Sequence, residues 1–114
     1  MIIVSTVPYT KTQILDLQEQ FEVYIKTVID VKKNICVAGM DRHYEGEQIL
    51  LKNGSSQSDI WGGGIDIHSH VIDYNSFINI RPNDNNPSNE IQGLEIRQLY
   101  ENLTKHFFEN IYDE

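Results

Sequence analysis

The sequence predicts an α+β fold, a mainly antiparallel sheet packed against two helices in the order β-α-β-β-(α)-β-β-α. Two observations predict the sheet: side chains alternate with a period of two in residues 24–31, and only a short polar turn separates this strand from a second, apolar one over Ile35–Met40. A third predicts the helices, because apolar residues recur at helical spacing in residues 11–21 and 91–111. A chain of 114 residues without an internal repeat is expected to form a single domain, residues 1–114.

The beginning of the chain is predicted to form a strand and then a helix. Residues 1–4 are apolar and predict the strand, which must end before Pro8. Thr10 begins a capping box with Gln13 three positions later, so we expect the first helix to start at residue 11.

Residues 41–52 have two interpretations. The apolar residues 49–51 could close a short helix before Gly54, or they could form a strand that turns at Asn53 and Gly54. We favour the helix. With helices at both ends of the chain and hairpins between them, the sheet is expected to be covered on one face.

The second half of the chain is predicted to add a second hairpin and the last helix. Alternating patterns predict strands over Ile65–Ser69 and Phe77–Arg81, and the residues between them include the turn-forming segment 73–75. A polar loop of turn formers, residues 83–89, follows. The stripe that predicts the helix over 91–111 consists of Ile96, Leu99, Tyr100, Leu103, Phe107 and Ile111.

The charge balance disfavours two classes of partner. The chain has 9 basic and 17 acidic residues, a net charge of −8, and no cluster of bases. Nucleic acids and anionic membranes are bound largely through Lys and Arg, so we expect neither as a partner. The N-terminus lacks the basic region of a signal peptide and no segment is long enough to span a membrane, which predicts a cytoplasmic protein. The single cysteine, Cys36, lies in an apolar run and is expected to act as a small hydrophobe.

The segment IDIHSH, residues 65–70, raises the question of a metal site. On a strand, Asp66, His68 and His70 would point the same way, with the two imidazoles about 7 Å apart along the chain. Zinc accepts such ligands, and Asp73 could add a fourth. The alternative is the solvent-facing side of a strand, and we favour it. No cofactor is therefore predicted. If the segment is a metal site after all, zinc is the metal that we expect it to bind.

The segment INIRP, residues 78–82, contains two polar candidates for ligand binding, Asn79 and Arg81. The guanidinium fork of arginine suits a carboxylate or a phosphate, so Arg81 could hold an anion. In an acidic half of the chain, a salt bridge to Asp59, Asp66 or Asp73 is the favoured interpretation.

Two further residues have both a structural and a functional interpretation. His43 shares a helical face with Glu47 if residues 41–50 are helical, and a neighbouring carboxylate would raise the pKa of His43 and suit it to acid–base work. Trp61, beside Gly62-Gly63-Gly64, could stack on a ligand, but we favour a core anchor with its N–H hydrogen-bonded. The common nucleotide, zinc-protease and hydrolase motifs are absent from the sequence.

Two motifs resemble a family of short prokaryotic proteins known only as a domain of unknown function. The first runs from Leu50 to Gly62 and includes the pattern GSxQxDIWG; the second, SxINIRP, runs from Ser76 to Pro82. Val28–Val31 and His43 are similar to that family too. The resemblance implies no activity or cofactor. It does imply that a shared function would involve Asp30, His43, Asp59, Asn79 and Arg81 rather than His68 and His70.

These observations rank three hypotheses. The first is a non-catalytic binding or interaction module that self-associates or binds another protein, with Arg81, Asn79, Asp30 and Trp61 as candidates for a small anionic ligand. Tyr24, Tyr44 and Tyr74 are candidates for its interface. The second is a small hydrolase, phosphoester- or ribonuclease-like, with candidate catalytic residues His43, Asp59 and Arg81. The third is a metal-binding protein that uses Asp66, His68 and His70.

Overall fold

Five antiparallel strands form one sheet with the spatial order β1-β3-β2-β4-β5. A computed structural model describes residues 1–112. It confirms the predicted α+β fold and contains three α-helices. The elements are β1 (Ile3–Ser5), α1 (Lys11–Gln20), β2 (Tyr24–Asp30), β3 (Ile35–Ala38), α2 (His43–Lys52), β4 (Ile60–Asp66), β5 (Ile72–Asp73) and α3 (Leu94–Phe107). Short 3-10 turns lie at Gln57–Asp59, Phe77–Asn79, Pro82–Asp84 and Glu109–Ile111.

The hairpin of β2 and β3 forms as the alternation predicts, with Val28 opposite Val37. The carboxylate of Asp30 closes its turn, because Oδ1 accepts the N–H groups of Lys32 (3.0 Å) and Lys33 (2.8 Å). Asn34 completes the turn at a φ of 58°, a left-handed conformation that asparagine tolerates better than most residues.

The sheet is covered on both faces, not on one as expected. Helices α1 and α3 pack on one face, and α2 packs on the other. The second core exists because the opposite faces of β2 and β3 also carry apolar side chains, and these need a cover. Its fully buried members are Val28, Val37, Met40, Leu50 and Ile60.

Within residues 41–52 the segment His43–Lys52 forms the helix α2, as we favoured. Its start is fixed by Glu45, whose carboxylate accepts the backbone N–H of Arg42 at 3.0 Å. Gly46 lets the helix approach the sheet closely, since a Cβ there would lie 2.9 Å from a methyl group of Val28. The helix therefore brings its first residue, His43, over the middle of β4.

The second half of the chain departs from the prediction. The strand expected over Ile65–Ser69 begins earlier, at Ile60, and ends at Asp66. No strand forms over Phe77–Arg81; Ser76 instead accepts the N–H of Ile78 with its side chain (3.2 Å) and starts a 3-10 turn. The hairpin partner of β4 is the two-residue strand β5.

The last helix is shorter than the predicted range 91–111. Helix α3 begins at Leu94, after Gly93, and ends at Phe107, where a 3-10 turn replaces the final predicted turn. Ile91 is fully buried but enters the core before the helix starts. On the sheet-facing side, Tyr100 lies against β2, where its hydroxyl contacts the hydroxyl of Thr27.

Candidate functional site

Three consecutive glycines in β4 let side chains approach the sheet from both faces. A Cβ at Gly62 would lie 2.8 Å from Cβ of Ser76 and 3.1 Å from the His43 ring. A Cβ at Gly64 would collide with the hydroxyl of Tyr24 on the same face. On the opposite face, Gly63 makes room for the Tyr100 hydroxyl. The glycine run is thus a point of close approach, not a nucleotide loop.

His43 crosses from α2 to this part of β4. Its Nε2 lies 2.6 Å from the carbonyl oxygen of Gly63, so Nε2 donates a proton and Nδ1 is left as the acceptor. Burial is the main influence on the pKa of His43 and lowers it; Lys26 also lowers it, while Gly63 and Asp73 raise it. The expectation that Glu47 would raise the pKa of His43 is wrong, because the carboxylate that raises it is Asp73, and the burial of the ring outweighs that effect. His43 is therefore neutral at pH 7.

A cleft of about 530 Å³ opens beside His43, between the first turn of α2 and residues 75–78. Its volume falls in the range of small-molecule sites. Two aromatic rings stand at its rim, since Tyr44 is 60% exposed and Phe77 is 85% exposed. The cleft is lined by Lys26, Asp41, Arg42, His43, Tyr44, Asn75, Ser76, Phe77, Ile78 and Asn89.

Tyr24 and Asp73 add polar groups next to the His43 end of the cleft. β5 places Asp73 opposite Gly64, and the Tyr24 ring lies over the same glycine. Burial, and then the Asp73 carboxylate, raise the pKa of Tyr24, so the phenol keeps its proton and can donate it to Asp73. With Lys26 and His43, these residues form a small group of titratable side chains on the α2 face of β4.

Asn79 closes the free edge of β4. The N–H of Val31 donates to the carbonyl of Asp59, which shows that the odd-numbered residues of β4 bond to β2 and the even-numbered ones point away. The N–H of Gly62 donates to Oδ1 of Asn79, and Nδ2 of Asn79 donates to the carbonyl of Gly62, both at 2.9 Å. Nδ2 also contacts the carbonyls of Tyr74 and Asn89, each at 3.1 Å. The side-chain amide thus takes the place of a strand.

Arg81 continues this edge toward the start of β4. Its guanidinium donates to the carbonyls of Gln57 and Ile60, the latter at 2.6 Å, and stacks 3.9 Å from the centre of the Trp61 ring. Burial lowers the pKa of Arg81, although nearby carboxylates, Asp84 first, counteract it. The predicted salt bridge to Asp59, Asp66 or Asp73 does not form; the carboxylate within 4 Å is that of Asp84, at 3.9 Å.

The remaining motif residues also serve the fold. Asp30 accepts the Ser55 hydroxyl at 2.6 Å in addition to its turn contacts. Trp61 is a buried anchor, as we favoured, but its indole N–H has no hydrogen-bond partner within residues 1–112. Asp59 is half-buried in the turn before β4 and, like Arg81, does not line the cleft. Of the three candidate catalytic residues, the structure therefore places only His43 in the cleft.

Of the candidate metal ligands, Asp66 is the last residue of β4, and His68 and His70 lie in the turn after it, not on a strand. Oδ1 of Asp66 accepts the N–H groups of His68 and Ser69, both at 2.9 Å, and these bonds lower the pKa of Asp66. His70 has a φ of 66°, and its ring packs 4.6 Å from that of Tyr112. Within residues 1–112, no group of three or more His, Cys, Asp or Glu side chains could hold a metal ion.

Sequence reasoning identified His43 but missed Lys26, Ser76 and Asp73 as its neighbours. The signal for Lys26 was present, because the alternation of β2 put it on one face with Tyr24 and Val28, beside the glycine run.

The three tyrosines predicted for an interface differ in exposure: Tyr44 is exposed, whereas Tyr24 and Tyr74 are half-buried. Burial raises the pKa of the Cys36 thiol to about 12, which suits the inert core residue that was predicted.

The two sequence motifs contact each other in the structure, since Asn79 and Arg81 of the second bond to Gln57, Ile60 and Gly62 of the first. A family model described as "Protein of unknown function (DUF5674)" matches residues 2–107. The chain belongs to this family. Membership of the DUF5674 family confirms the resemblance to a domain of unknown function.

The searches of curated proteins and of solved structures found no match to this DUF5674 protein. In residues 1–112, each helix is too short or too polar to cross a membrane.

Proposed function

We propose that this DUF5674 protein is a non-catalytic binding module that holds a small organic anion in the cleft beside His43. One observation carries the proposal: the cleft combines the amine of Lys26 and the neutral ring of His43 with the exposed rings of Tyr44 and Phe77. Small-molecule sites typically pair an apolar lining with a few polar groups that fix the orientation of the ligand.

The charges near the cleft favour an anion. Lys26 and Arg42 are two of only 9 basic residues in the chain, and both line this one cleft. The first turn of α2 also lines the cleft, and the helix dipole adds partial positive charge at this end of the helix. Two carboxylates lie near the cleft. Asp41 is exposed at the rim, so solvent screens its repulsion, and Asp73 accepts a hydrogen bond from Tyr24.

The aromatic rim favours an organic anion over an inorganic one. Phe77 leaves most of its ring in water, and covering that ring with an apolar group would release this unfavourable hydration. Tyr44 stands across the cleft from it and offers a second ring. A planar ligand with one carboxylate or phosphate group would use the rings and the lysine together.

The hydrolase hypothesis has less support than binding. It required His43 and Arg81 to act on one substrate, and the Arg81 fork is already used by the carbonyls of Gln57 and Ile60. A ribonuclease would also need a basic groove, and the chain has a net charge of −8.

We place the protein in the cytoplasm, where a single buried free thiol such as Cys36 is usual.

The test is a titration of ¹⁵N-labelled protein with three matched probes, phenylacetate, phenyl phosphate and the neutral 2-phenylethanol. We expect the two anions to shift the amide signals of residues 43–44 and 76–78, and the alcohol to shift them far less. Lys26→Met should weaken anion binding about tenfold, the equivalent of one lost charge-assisted hydrogen bond.

Lys52→Met is the matched control, because Lys52 is exposed at the far end of the same helix. It removes the same charge and should leave the affinity unchanged. Equal weakening in both variants would mean that only the net charge matters. Absence of shifts with either anion would reject the cleft as an anion site.

A further inference from the structure

β1 presents an unpaired edge of the sheet to solvent. Within residues 1–112 it is the outermost strand and pairs only with β3. Because the odd-numbered residues of β2 bond to β4, its even-numbered residues, including Val28, bond to β3. Val28 lies opposite Val37, so the N–H and C=O groups of Val37 bond to β2. The N–H and C=O groups of Cys36 and Ala38, on either side of it, therefore point to β1.

The same alternation sets the direction of each backbone group in β1. Ile3 and Ser5 lie opposite Ala38 and Cys36 and exchange hydrogen bonds with them. The N–H and C=O groups of Val4 consequently point away from the sheet. β1 ends at Ser5 and the chain bends at Thr6 and Val7, so Val4 carries the outward-facing groups of this strand.

The side chains along this edge are apolar and uncharged. Val4 is 45% exposed, and three other exposed apolar residues lie beside it: Met1, Ile2 and Val7. Residues 2–10 contain no charged side chain, although the chain has 9 basic and 17 acidic residues. Proteins usually protect an edge strand with a charge, most often lysine, and this edge has none.

We propose that β1 pairs antiparallel with β1 of a second copy of this chain, about a two-fold axis next to Val4. The Val4 groups of one protomer would bond to the same groups of its partner and join two five-stranded sheets into one of ten strands. An antiparallel edge is self-complementary, so the contact is closed and stops at a dimer.

Charge favours this edge over the rest of the surface for a contact between two copies. Each copy carries a net charge of −8, which opposes association through most of its surface. Pairing through residues 2–10 brings together the segment in which neither copy has charge. The edge is separated from the cleft by β3 and β2, so this dimer is independent of the proposed anion site.

The test is the molar mass in solution, measured by light scattering after size exclusion over a range of loading concentrations. We expect the unmodified protein to be a dimer at high concentration and Val4→Lys to be a monomer with an unchanged circular dichroism spectrum. Leu15→Lys is the matched control, because Leu15 is 63% exposed on α1 and the change adds the same charge. It should remain a dimer.

A second measurement needs no variant. Hydrogen exchange at the Val4 amide should slow as the protein concentration rises, while the other exposed amides stay unchanged. A monomer at every concentration, or a dimer that persists in folded Val4→Lys, would overturn the proposal. So would a Val4 amide whose exchange rate does not depend on concentration, whether or not the lysine variant folds.

Discussion

Strands β4 and β1 differ in whether side chains of the protein cover their outward-facing backbone groups. Where β4 extends past its short partner β5, the side chains of Asn79 and Arg81 bond to the outward-facing groups of Gly62 and Ile60, so this part of the strand is not left free. At the β1 edge, no side chain of the described residues 1–112 covers the outward-facing groups of Val4 in this way. The difference shows that two side chains can protect a strand as a neighbouring strand would, and that this chain uses them on one side only.

The largest expected effect comes from opening the closed edge. Asn79→Ala would leave the N–H and C=O of Gly62 and two further carbonyls without their partner. Because each buried polar group left unpaired costs about 1–3 kcal/mol, we expect a loss of about 4 kcal/mol in the free energy of unfolding. Urea denaturation measures it. Asn83→Ala, at an exposed position in the same loop, is the control and should cost little.

The second effect compares two stacked arginines. Arg81→Lys removes the fork that reaches Gln57 and Ile60 and the stacking on Trp61, and we expect it to cost about 2 kcal/mol. Arg97 also stacks on an aromatic ring, that of Tyr74 at 4.0 Å, but is partly exposed. Arg97→Lys should cost well under half as much. Similar losses in the two variants would mean that Arg81 is not an edge-closing residue.

A pair of proline variants tests which backbone N–H groups of β1 point to solvent. Val4→Pro removes an N–H that points to solvent, whereas Ser5→Pro removes one that donates to β3, so we expect the second to be less stable by about 1 kcal/mol. Thermal unfolding at low protein concentration, where the dimer is dissociated, gives the comparison. A larger loss for Val4→Pro would reverse the assignment of the edge.

The smallest expected effect is a pH dependence of stability that comes from His43, the residue that contacts β4. Burial lowers the pKa of His43 below the ordinary 6.5, so the unfolded chain binds a proton more readily than the folded chain does. The stabilising contribution of neutral His43 is therefore complete above pH 6.5 and is lost as the pH falls toward the lowered value. Between pH 7.5 and pH 5.5, the free energy of unfolding measured with urea should fall less in His43→Gln than in the unmodified protein. Equal drops would contradict the assignment.

The sequence predicted the elements that periodicity controls. The hairpin of β2 and β3 and the helix α1 follow directly from apolar spacing and from a capping box. The β4 edge could not be predicted this way, because Asn79 and Arg81 act through hydrogen bonds to the backbone, which leave no period in the sequence. Ile78 and Ile80 alternate with them and imitate a strand, although the Ser76 side chain starts a 3-10 turn there.

The site shows the same division. His43 was found because a histidine near a carboxylate is a recognisable chemical signal, but its main contact, the carbonyl of Gly63, is a tertiary one. Lys26 was missed because a lysine on a strand is usually a solvated side chain. The residues of the family motifs looked functional as separate segments; once the segments meet, most of them are seen to hold β4.

The use of Asn79 in place of a strand has a chemical consequence. A backbone amide that hydrolyses breaks the chain, but a side-chain amide that hydrolyses leaves an aspartate of the same shape. At this position the change would replace the donor Nδ2 by a charged oxygen facing the carbonyls of Gly62, Tyr74 and Asn89. Asparagine is among the thermolabile residues, so hydrolysis of this one side-chain amide would open the edge of β4 without breaking the chain.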